Sequence, residues 1–193
     1  MTLTLLLLAA LAAAGPACAG ASPAAHTQAA RPDASACLPT ELRAMFRGFQ
    51  ATGASLIGAV VVTDSGARAC RLEGAPRSIS VLDDSGNPLS VKVHALDVPA
   101  DAGPVGLIPG VAMPTFGAAP VHGSAWIPLT WTNWCAATQP VVRSLLIVLP
   151  AGGSITAPLD TQVPVWAVGP PAPHCIAPGA GSTLSFGRFR AAA

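Results

Sequence analysis

Residues 124–135, SAWIPLTWTNWC, decide the fold of this chain. Three of the four tryptophans fall in this stretch, and the stretch ends on a cysteine. Because side chains of an extended strand alternate between its two faces, every second residue from Ile127 to Trp131, and Cys135 beyond them, is expected on one side. The stretch therefore predicts a buried core strand that ends at a disulfide.

Length and composition set the class of protein. At 193 residues the chain has the length of one domain that follows a removable leader. Only 10% of the residues are charged and the formal net charge is +1, whereas globular chains contain roughly 25% charged residues. No run of Lys or Arg forms a basic patch that would attract phosphate groups. Nucleic acid is therefore not an expected partner.

The N-terminal segment has the features of an export signal. Residues 3–14, LTLLLLAALAAA, are as long as a signal-peptide core, whereas a membrane-spanning helix needs roughly 20 apolar residues. Small residues at Ala17 and Ala19 suit signal peptidase, so residues 1–19 are predicted to be a signal peptide. Cys18 has a second interpretation as the lipid-bearing cysteine of a bacterial lipoprotein, and the sequence leaves both interpretations open. Either one predicts a secreted or cell-envelope protein that contacts a membrane only through a lipid on Cys18.

Two further segments complete the predicted domain organisation. Residues 20–36 are rich in Ala, Ser and Pro and follow neither the helical nor the strand period, which is typical of a flexible linker. Residues 37–190 are then expected to form one β-sandwich domain. At its start, residues 39–49 carry apolar side chains at helical spacing and predict one short N-terminal helix, with a first strand as the alternative.

Short strands separated by turn sequences fill most of the remaining chain. Such strands are predicted at residues 55–63, 68–72, 78–82, 89–96, 105–108, 126–133, 141–149 and 183–190. About seven short strands with turns every 8 to 15 residues are typical of an immunoglobulin-like antiparallel sandwich. The predicted fold class is therefore all-β, with an immunoglobulin-like antiparallel sandwich that contains two disulfides.

Four cysteines remain when Cys18 is set apart. Cys37, Cys70, Cys135 and Cys175 form an even set for an oxidising compartment. Four cysteines can pair in three ways, and their order along the chain favours Cys37 with Cys70 and Cys135 with Cys175. Each disulfide would close a loop of roughly 35 to 40 residues and add about 4 kcal/mol to the free energy of unfolding. His174 suggests a metal site instead, but no CxxC or HxxxH spacing supports one, so no metal or other cofactor is expected.

No stretch has the pattern of a catalytic motif. The HGS sequence at residue 122 and the GGS sequence at residue 152 lack the GxSxG pattern, and the acidic residues are scattered. No catalytic residue is therefore predicted. A secreted hydrolase that uses His122 is the first alternative, and a purely structural spacer domain is the second.

Candidate ligand contacts come from one long connection and from two tryptophans. Residues 98–121 are apolar and rich in Pro and Gly, and they include Met113 and Phe116. Long loops often carry binding residues. Trp126 and Trp134 are expected on the solvent face of the core strand, where they would suit a sugar, and core packing is their alternative. These four residues predict a monomeric binding module for an unknown protein, glycan or small ligand of the cell envelope.

Five sequence features also resemble a known family. They are Cys37, the CxLxGxP of residues 70–76, the LDxxG of residues 82–86, the WxNWC of residues 131–135 and Cys175. In this order they resemble the domain of unknown function 4232 family of exported actinobacterial proteins and lipoproteins, over residues 37–189. The resemblance implies a secreted or lipid-anchored β-sandwich with paired cysteines and no assigned activity. The chain departs from the family at Asp64, where Asn is usual, and in a longer Pro-rich stretch at residues 109–120.

Overall fold

The computed structural model describes residues 34–96, 103–115, 118–162 and 172–192. In these ranges a 3-10 turn at Pro39–Glu41 precedes eleven β-strands. The strands are β1 (Leu42–Thr52), β2 (Ser55–Asp64), β3 (Cys70–Leu72), β4 (Ser78–Leu82), β5 (Lys92–Ala95), β6 (Val105–Leu107), β7 (Ala125–Thr132), β8 (Ser144–Val148), β9 (Ser154–Pro158), β10 (Thr183–Phe186) and β11 (Arg190–Ala191). The described chain is all-β, as the sequence predicts. Among the described residues, no helix has the length and apolar character needed to cross a membrane.

Strand β7 is the centre of the main sheet, whose order is β1-β2-β7-β10-β5. Strand β2 pairs with one side of β7, while β10 and then β11 pair with the other side. Ile127, Leu129 and Trp131 are at most 2% exposed, so the predicted core strand is confirmed. Cys135 lies beyond the end of β7 and is exposed, so its expected place on the buried face is wrong.

A second sheet packs its apolar side chains into the same core. It consists of β4, β8 and β9, which are antiparallel, and its buried residues include Val81, Leu145 and Ile147. Strand β1 contacts β9 at one edge, where the amide of Asp160 donates to the carbonyl of Phe46 at 2.8 Å. The short pair β3 and β6 adds its own buried residues to this core. The arrangement is consistent with a sandwich, and its immunoglobulin-like topology stays a prediction.

One strand pair departs from the predicted antiparallel pattern. After the turn that follows β4, the chain crosses to the main sheet, where β5 pairs with β10 in parallel. The amide of Lys92 donates to the carbonyl of Ser182 at 2.8 Å at the start of this pair. The main sheet is therefore mixed, because β5 arrives from the opposite sheet and has the same direction as the strand that it joins.

The predicted short N-terminal helix is wrong, and the alternative, a first strand, is what forms as β1. The helical spacing of its apolar residues arises from a β-bulge: Phe46 pairs with Val60, whereas Phe49 pairs with Gly58. One extra residue on β1 shifts the alternation of side chains, so both phenylalanines enter the core with their ring centroids 4.8 Å apart. Gly48 lies within this bulge with a φ of 80°, a conformation that glycine adopts without steric cost.

Both predicted disulfides form, with the pairing that the order along the chain favours. The Cα atoms are 4.9 Å apart in Cys37–Cys70 and 4.7 Å apart in Cys135–Cys175. The first disulfide joins the segment before β1 to β3, and the second joins the segment after β7 to residues 172–182, here called the C-terminal arm. Two disulfides are consistent with an extracytoplasmic location.

Backbone hydrogen bonds attach both ends of the described residues to neighbouring segments. The amide of Arg71 donates to the carbonyl of Ser35 at 2.9 Å, and the amide of Ala192 donates to the carbonyl of Ser124 at 3.1 Å. The predicted signal peptide, Cys18 and most of the predicted linker lie outside the described residues.

Candidate functional site

Asn133 connects the end of β7 to the C-terminal arm. Its side chain is 6% exposed and its backbone has a φ of 59°. The amide nitrogen donates to the carbonyls of Ala180 at 2.8 Å and Ala177 at 3.1 Å. The amide oxygen accepts from the backbone of Ile176 at 3.0 Å and of Ala177 at 2.9 Å. One side chain thus takes the place of a pairing strand for this part of the arm.

The tryptophans on either side of Asn133 both contact the core. Trp131 is fully buried, and its Nε1 donates to Oγ of Ser182 at 2.6 Å. The ring centroid of Trp134 lies 5.6 Å from that of Trp131 in an edge-to-face arrangement. The expectation that Trp134 lies on the solvent face of the strand is therefore wrong, because β7 ends at Thr132 and the left-handed backbone of Asn133 turns the chain.

The disulfide cleft, a depression of about 510 Å³, lies beside the second disulfide. Its walls include Trp134, Gln139, Pro173, His174 and the Cys135–Cys175 bond. Both cysteines and His174 are exposed, whereas Trp134 is half-buried. None of the described residues that line it carries a carboxylate, an ammonium or a guanidinium group. The cleft therefore offers hydrogen-bonding groups and an aromatic ring without a fixed charge.

The β2 cleft, of about 490 Å³, lies on the outer face of the main sheet. The outward side chains of Ile57, Ala59 and Val61 form its floor, and residues 118–120 of the long connection form a wall. Ile57 is 44% exposed there. Gln50 lies at the rim and provides an amide. The chain thus leaves Ile57 open to solvent at one end of this apolar strip, whereas Val61 is only 3% exposed.

Trp126 lies on the outer face of the main sheet, beside the floor of the β2 cleft. It pairs with Val61 across β2 and β7 and is half-buried. The guanidinium carbon of Arg190 is 5.1 Å from the centroid of the Trp126 ring, which is within the range of a cation–π contact. The solvent face predicted for Trp126 is correct, and an arginine covers part of its ring.

Met113 and Phe116 do not join the tryptophans in one site. Met113 is half-buried and lines a third cleft, of about 540 Å³, together with Arg43 and Met45 of β1. Phe116 lies outside the described residues. The structure therefore places Met113, Trp126 and Trp134 in separate surroundings, and their role as ligand contacts stays a prediction.

Arg47 attaches the segment that carries Met113 to the main sheet. Its guanidinium contacts the carboxylate of Asp160 and the carbonyl of Pro114, and it donates to the carbonyl of Thr115 at 3.0 Å. The side chains of Arg47 and Asp160 are only 13% and 4% exposed. This ion pair was missed by sequence reasoning, because its partners are 113 residues apart and neither lies in a recognisable motif.

The HGS sequence does not form a nucleophile and base pair. His122 is exposed in a turn, and Ser124 is 1% exposed with its hydroxyl donating to the carbonyl of Val121 at 2.6 Å. In the described part of the chain, no hydrogen bond joins the imidazole of His122 to a carboxylate or hydroxyl group. Across the same ranges, no three His, Cys, Asp or Glu side chains converge where they could hold a metal ion.

Comparison with known proteins adds no further assignment. No protein-family model, curated protein or solved structure matches this chain. The resemblance to the domain of unknown function 4232 family therefore stays a prediction, and the functional proposal depends on the clefts themselves.

Proposed function

We propose that this chain is a non-catalytic binding module of the bacterial cell envelope or secreted space, and that the β2 cleft is its ligand site. The observation that carries this proposal is that Ile57, an apolar residue of the cleft floor, is 44% exposed beside a wall formed by residues 118–120. Clefts of roughly 300 to 1,000 Å³ are the usual size for small-ligand sites, and this cleft of about 490 Å³ falls in that range.

The lining of the cleft supports a mainly apolar ligand. Its floor offers methyl and methylene groups, and Gln50 provides one amide at the rim. Arg47 also lines the cleft, but its guanidinium is paired with the carboxylate of Asp160. The formal net charge of +1 gives little long-range attraction for ions. A neutral small molecule, or an apolar side chain of a partner protein, fits this lining best.

The leader and the disulfides support the proposed location. The predicted signal peptide at residues 1–19 would direct the chain out of the cytoplasm. The two disulfides, Cys37–Cys70 and Cys135–Cys175, persist in oxidising compartments and are rare in the cytosol. Both features favour a secreted or envelope-associated protein, with Cys18 as the candidate lipid attachment point.

A fluorescence titration with Nile red, a neutral apolar dye, tests the proposed site. Ile57→Gln should weaken dye binding about ten-fold, because it replaces one apolar side chain of the floor. Val141→Gln is the matched control, since Val141 is 50% exposed and lies outside the cleft. Equal binding by the two variants would remove the β2 cleft as the ligand site. The same pair, immobilised and exposed to envelope extract, then reports whether a natural partner uses this surface.

The two alternatives have less support. A hydrolase that uses His122 would need a nucleophile nearby, but the hydroxyl of Ser124 is buried and bonded to a carbonyl. A structural spacer would need no open cleft, and it predicts that neither Ile57→Gln nor any loop change alters binding to envelope components.

A further inference from the structure

We propose that the Cys135–Cys175 disulfide is a thiol-exchange site, which small thiols without a large net charge reach through the disulfide cleft. The bond is part of the wall of a cleft of about 510 Å³, which is large enough to admit a small thiol. This inference is independent of the ligand proposed for the β2 cleft, because the two clefts share no lining residue.

The two disulfides differ sharply in their access to solvent. Cys37 and Cys70 are 3% and 2% exposed, whereas Cys135 and Cys175 are both exposed. Thiol–disulfide exchange begins with the approach of an external thiolate to a sulfur atom, so it requires access to that atom. The buried bond can react only when the core opens, and the exposed bond can react in the folded protein.

The carboxylate of Asp64 makes the Cys37–Cys70 disulfide still harder for a thiolate to reach than the Cys135–Cys175 disulfide. Oδ2 of Asp64 lies 3.6 Å from Sγ of Cys70, and the side chain of Asp64 is buried with the residue 1% exposed. A sulfur in a disulfide carries no hydrogen, so this contact is not a hydrogen bond. An approaching thiolate would meet a buried negative charge there. Within the described lining of the disulfide cleft, no carboxylate opposes the thiolate.

Asn133 keeps the C-terminal arm in place when the bond between the sulfurs is broken. Four of its hydrogen bonds, to the backbone of Ile176, Ala177 and Ala180, involve neither cysteine. The two thiols of the reduced protein therefore stay close together, which gives them a high effective concentration for reforming the bond. The expected exchange is reversible without unfolding.

In the reduced protein, two oxygen atoms lie close enough to accept a hydrogen bond from the thiol of Cys135. Sγ of Cys135 lies 3.3 Å from Oδ1 of Asn133 and 3.7 Å from the carbonyl of Ala177. These contacts are not hydrogen bonds while the sulfur is in a disulfide. After reduction, the thiol of Cys135 gains a hydrogen and can donate to either oxygen.

The exchange balances with an external thiol as the reductant. Its thiolate attacks one sulfur, a new S–S bond forms as the bond between the cysteines breaks, and the other cysteine leaves as a thiolate that takes a proton from water. A second external thiol then attacks the mixed disulfide. Two external thiols are thereby oxidised to one disulfide, while Cys135 and Cys175 are reduced by two electrons.

Glutathione treatment of the full-length exported protein tests this proposal. The folded protein is exposed to graded glutathione, quenched with acid and treated with N-ethylmaleimide, and each cysteine is followed by peptide mass spectrometry. Cys135 and Cys175 should become labelled or carry glutathione about 100-fold faster than Cys37 and Cys70, because the buried pair must wait for the core to open. Labelling of all four cysteines at one rate, or of the buried pair first, would overturn the proposal.

A second measurement follows the arm. In the selectively reduced protein, the amides of Ile176 and Ala177 should stay protected from hydrogen exchange, and the disulfide should reform once glutathione is removed. Asn133→Gly keeps the left-handed backbone accessible but removes the side chain. It should lose protection at both amides even before reduction, because their acceptor is gone, and after reduction it should reform the bond several-fold more slowly. Loss of protection in the reduced wild-type protein would contradict the role given to Asn133.

Discussion

At the scale of single residues, Asn133 explains why the most conspicuous motif of the chain is structural. Asparagine tolerates the left-handed φ of 59° better than most residues. Its amide can donate and accept at once, and it does so with three residues of the C-terminal arm. The tryptophan-rich stretch therefore ends in a residue that turns the chain and holds the arm with the same side chain.

Two substitutions of Asn133 separate the stabilisation by its side-chain hydrogen bonds from the cost of its left-handed backbone. Asn133→Gly removes the hydrogen bonds and should lower the free energy of unfolding by about 2 kcal/mol, because backbone groups of the arm lose their partners. Asn133→Ala should lower the free energy of unfolding by about 1 kcal/mol more than Asn133→Gly does, since alanine is strained in the left-handed backbone conformation. Urea unfolding of both variants measures the difference. Equal stability of the glycine and alanine variants would mean that the backbone conformation carries no cost.

Trp131 provides a second prediction at this scale. Trp131→Phe leaves a cavity and removes the donor to Ser182, so it should lower the free energy of unfolding by about 2 to 3 kcal/mol. Ser182→Ala, alone and combined with Trp131→Phe, isolates the hydrogen bond by a double-mutant cycle. A coupling energy of about 1 kcal/mol is expected between the two positions. Strict additivity would show that the 2.6 Å contact does not contribute to stability.

Single residues also mark where sequence reasoning succeeds and where it fails. The buried alternation from Ile127 to Trp131 was predictable, because it follows from the geometry of one strand. The solvent face expected for Trp134 was wrong, since a change of backbone conformation at Asn133 breaks the alternation. Asparagine adopts the left-handed backbone more often than most residues, but between Thr132 and Trp134 it gives no decisive sign that the strand ends there.

At the scale of elements, the bulge in β1 shows how a strand can imitate a helix. Apolar residues three positions apart share one face of a helix, but Phe46 and Phe49 share one face of a strand because β1 has one extra residue between them. Gly48 is the one local sign of the bulge. Since glycine also ends helices, the sequence alone favoured neither element decisively.

The ion pair of Arg47 and Asp160 gives a prediction at the element scale, because it joins β1 to two distant segments. Asp160→Asn should lower the free energy of unfolding by about 3 kcal/mol, since the guanidinium of Arg47 stays buried without its counter-charge. The amides of Met113 and Thr115 should also exchange faster. Chemical unfolding and hydrogen exchange measure the two effects.

An exposed ion pair serves as the control for this prediction. Nε of Arg71 lies 2.9 Å from Oε1 of Glu73. The side chains of Arg71 and Glu73 are 39% and 59% exposed. Glu73→Gln should change the free energy of unfolding by less than about 1 kcal/mol, because solvent screens exposed charges. A loss for Asp160→Asn as small as that for Glu73→Gln would contradict the anchoring role of Arg47.

At the scale of the whole molecule, the two disulfides join the segment before β1 to β3 and the segment after β7 to the C-terminal arm. Their cysteines are 33 and 40 residues apart, and each bond should add about 4 kcal/mol to the free energy of unfolding by restricting the unfolded chain. Cys37→Ala with Cys70→Ala should cost more than Cys135→Ala with Cys175→Ala, because only the first pair leaves a cavity in the core. Thermal unfolding of the two double variants tests this order, and the reverse order would contradict it.

The fold class and the disulfide pairing were predictable at this scale, and the clefts were not. Strand patterns and cysteine order are properties of the sequence itself. The β2 cleft needs residues 118–120 to lie beside Ile57, and the disulfide cleft needs Gln139 to lie near His174. The sequence contains no pattern that predicts either of these contacts, because each forms when segments that are distant along the chain pack together.

Peptide mapping of the purified protein without reduction tests whether two disulfides hold this tryptophan-centred β domain. We expect one linked peptide pair that contains Cys37 and Cys70 and another that contains Cys135 and Cys175, with no free thiol at these positions. Free thiols at all four positions, or a linkage of Cys37 or Cys70 to Cys135 or Cys175, would contradict it.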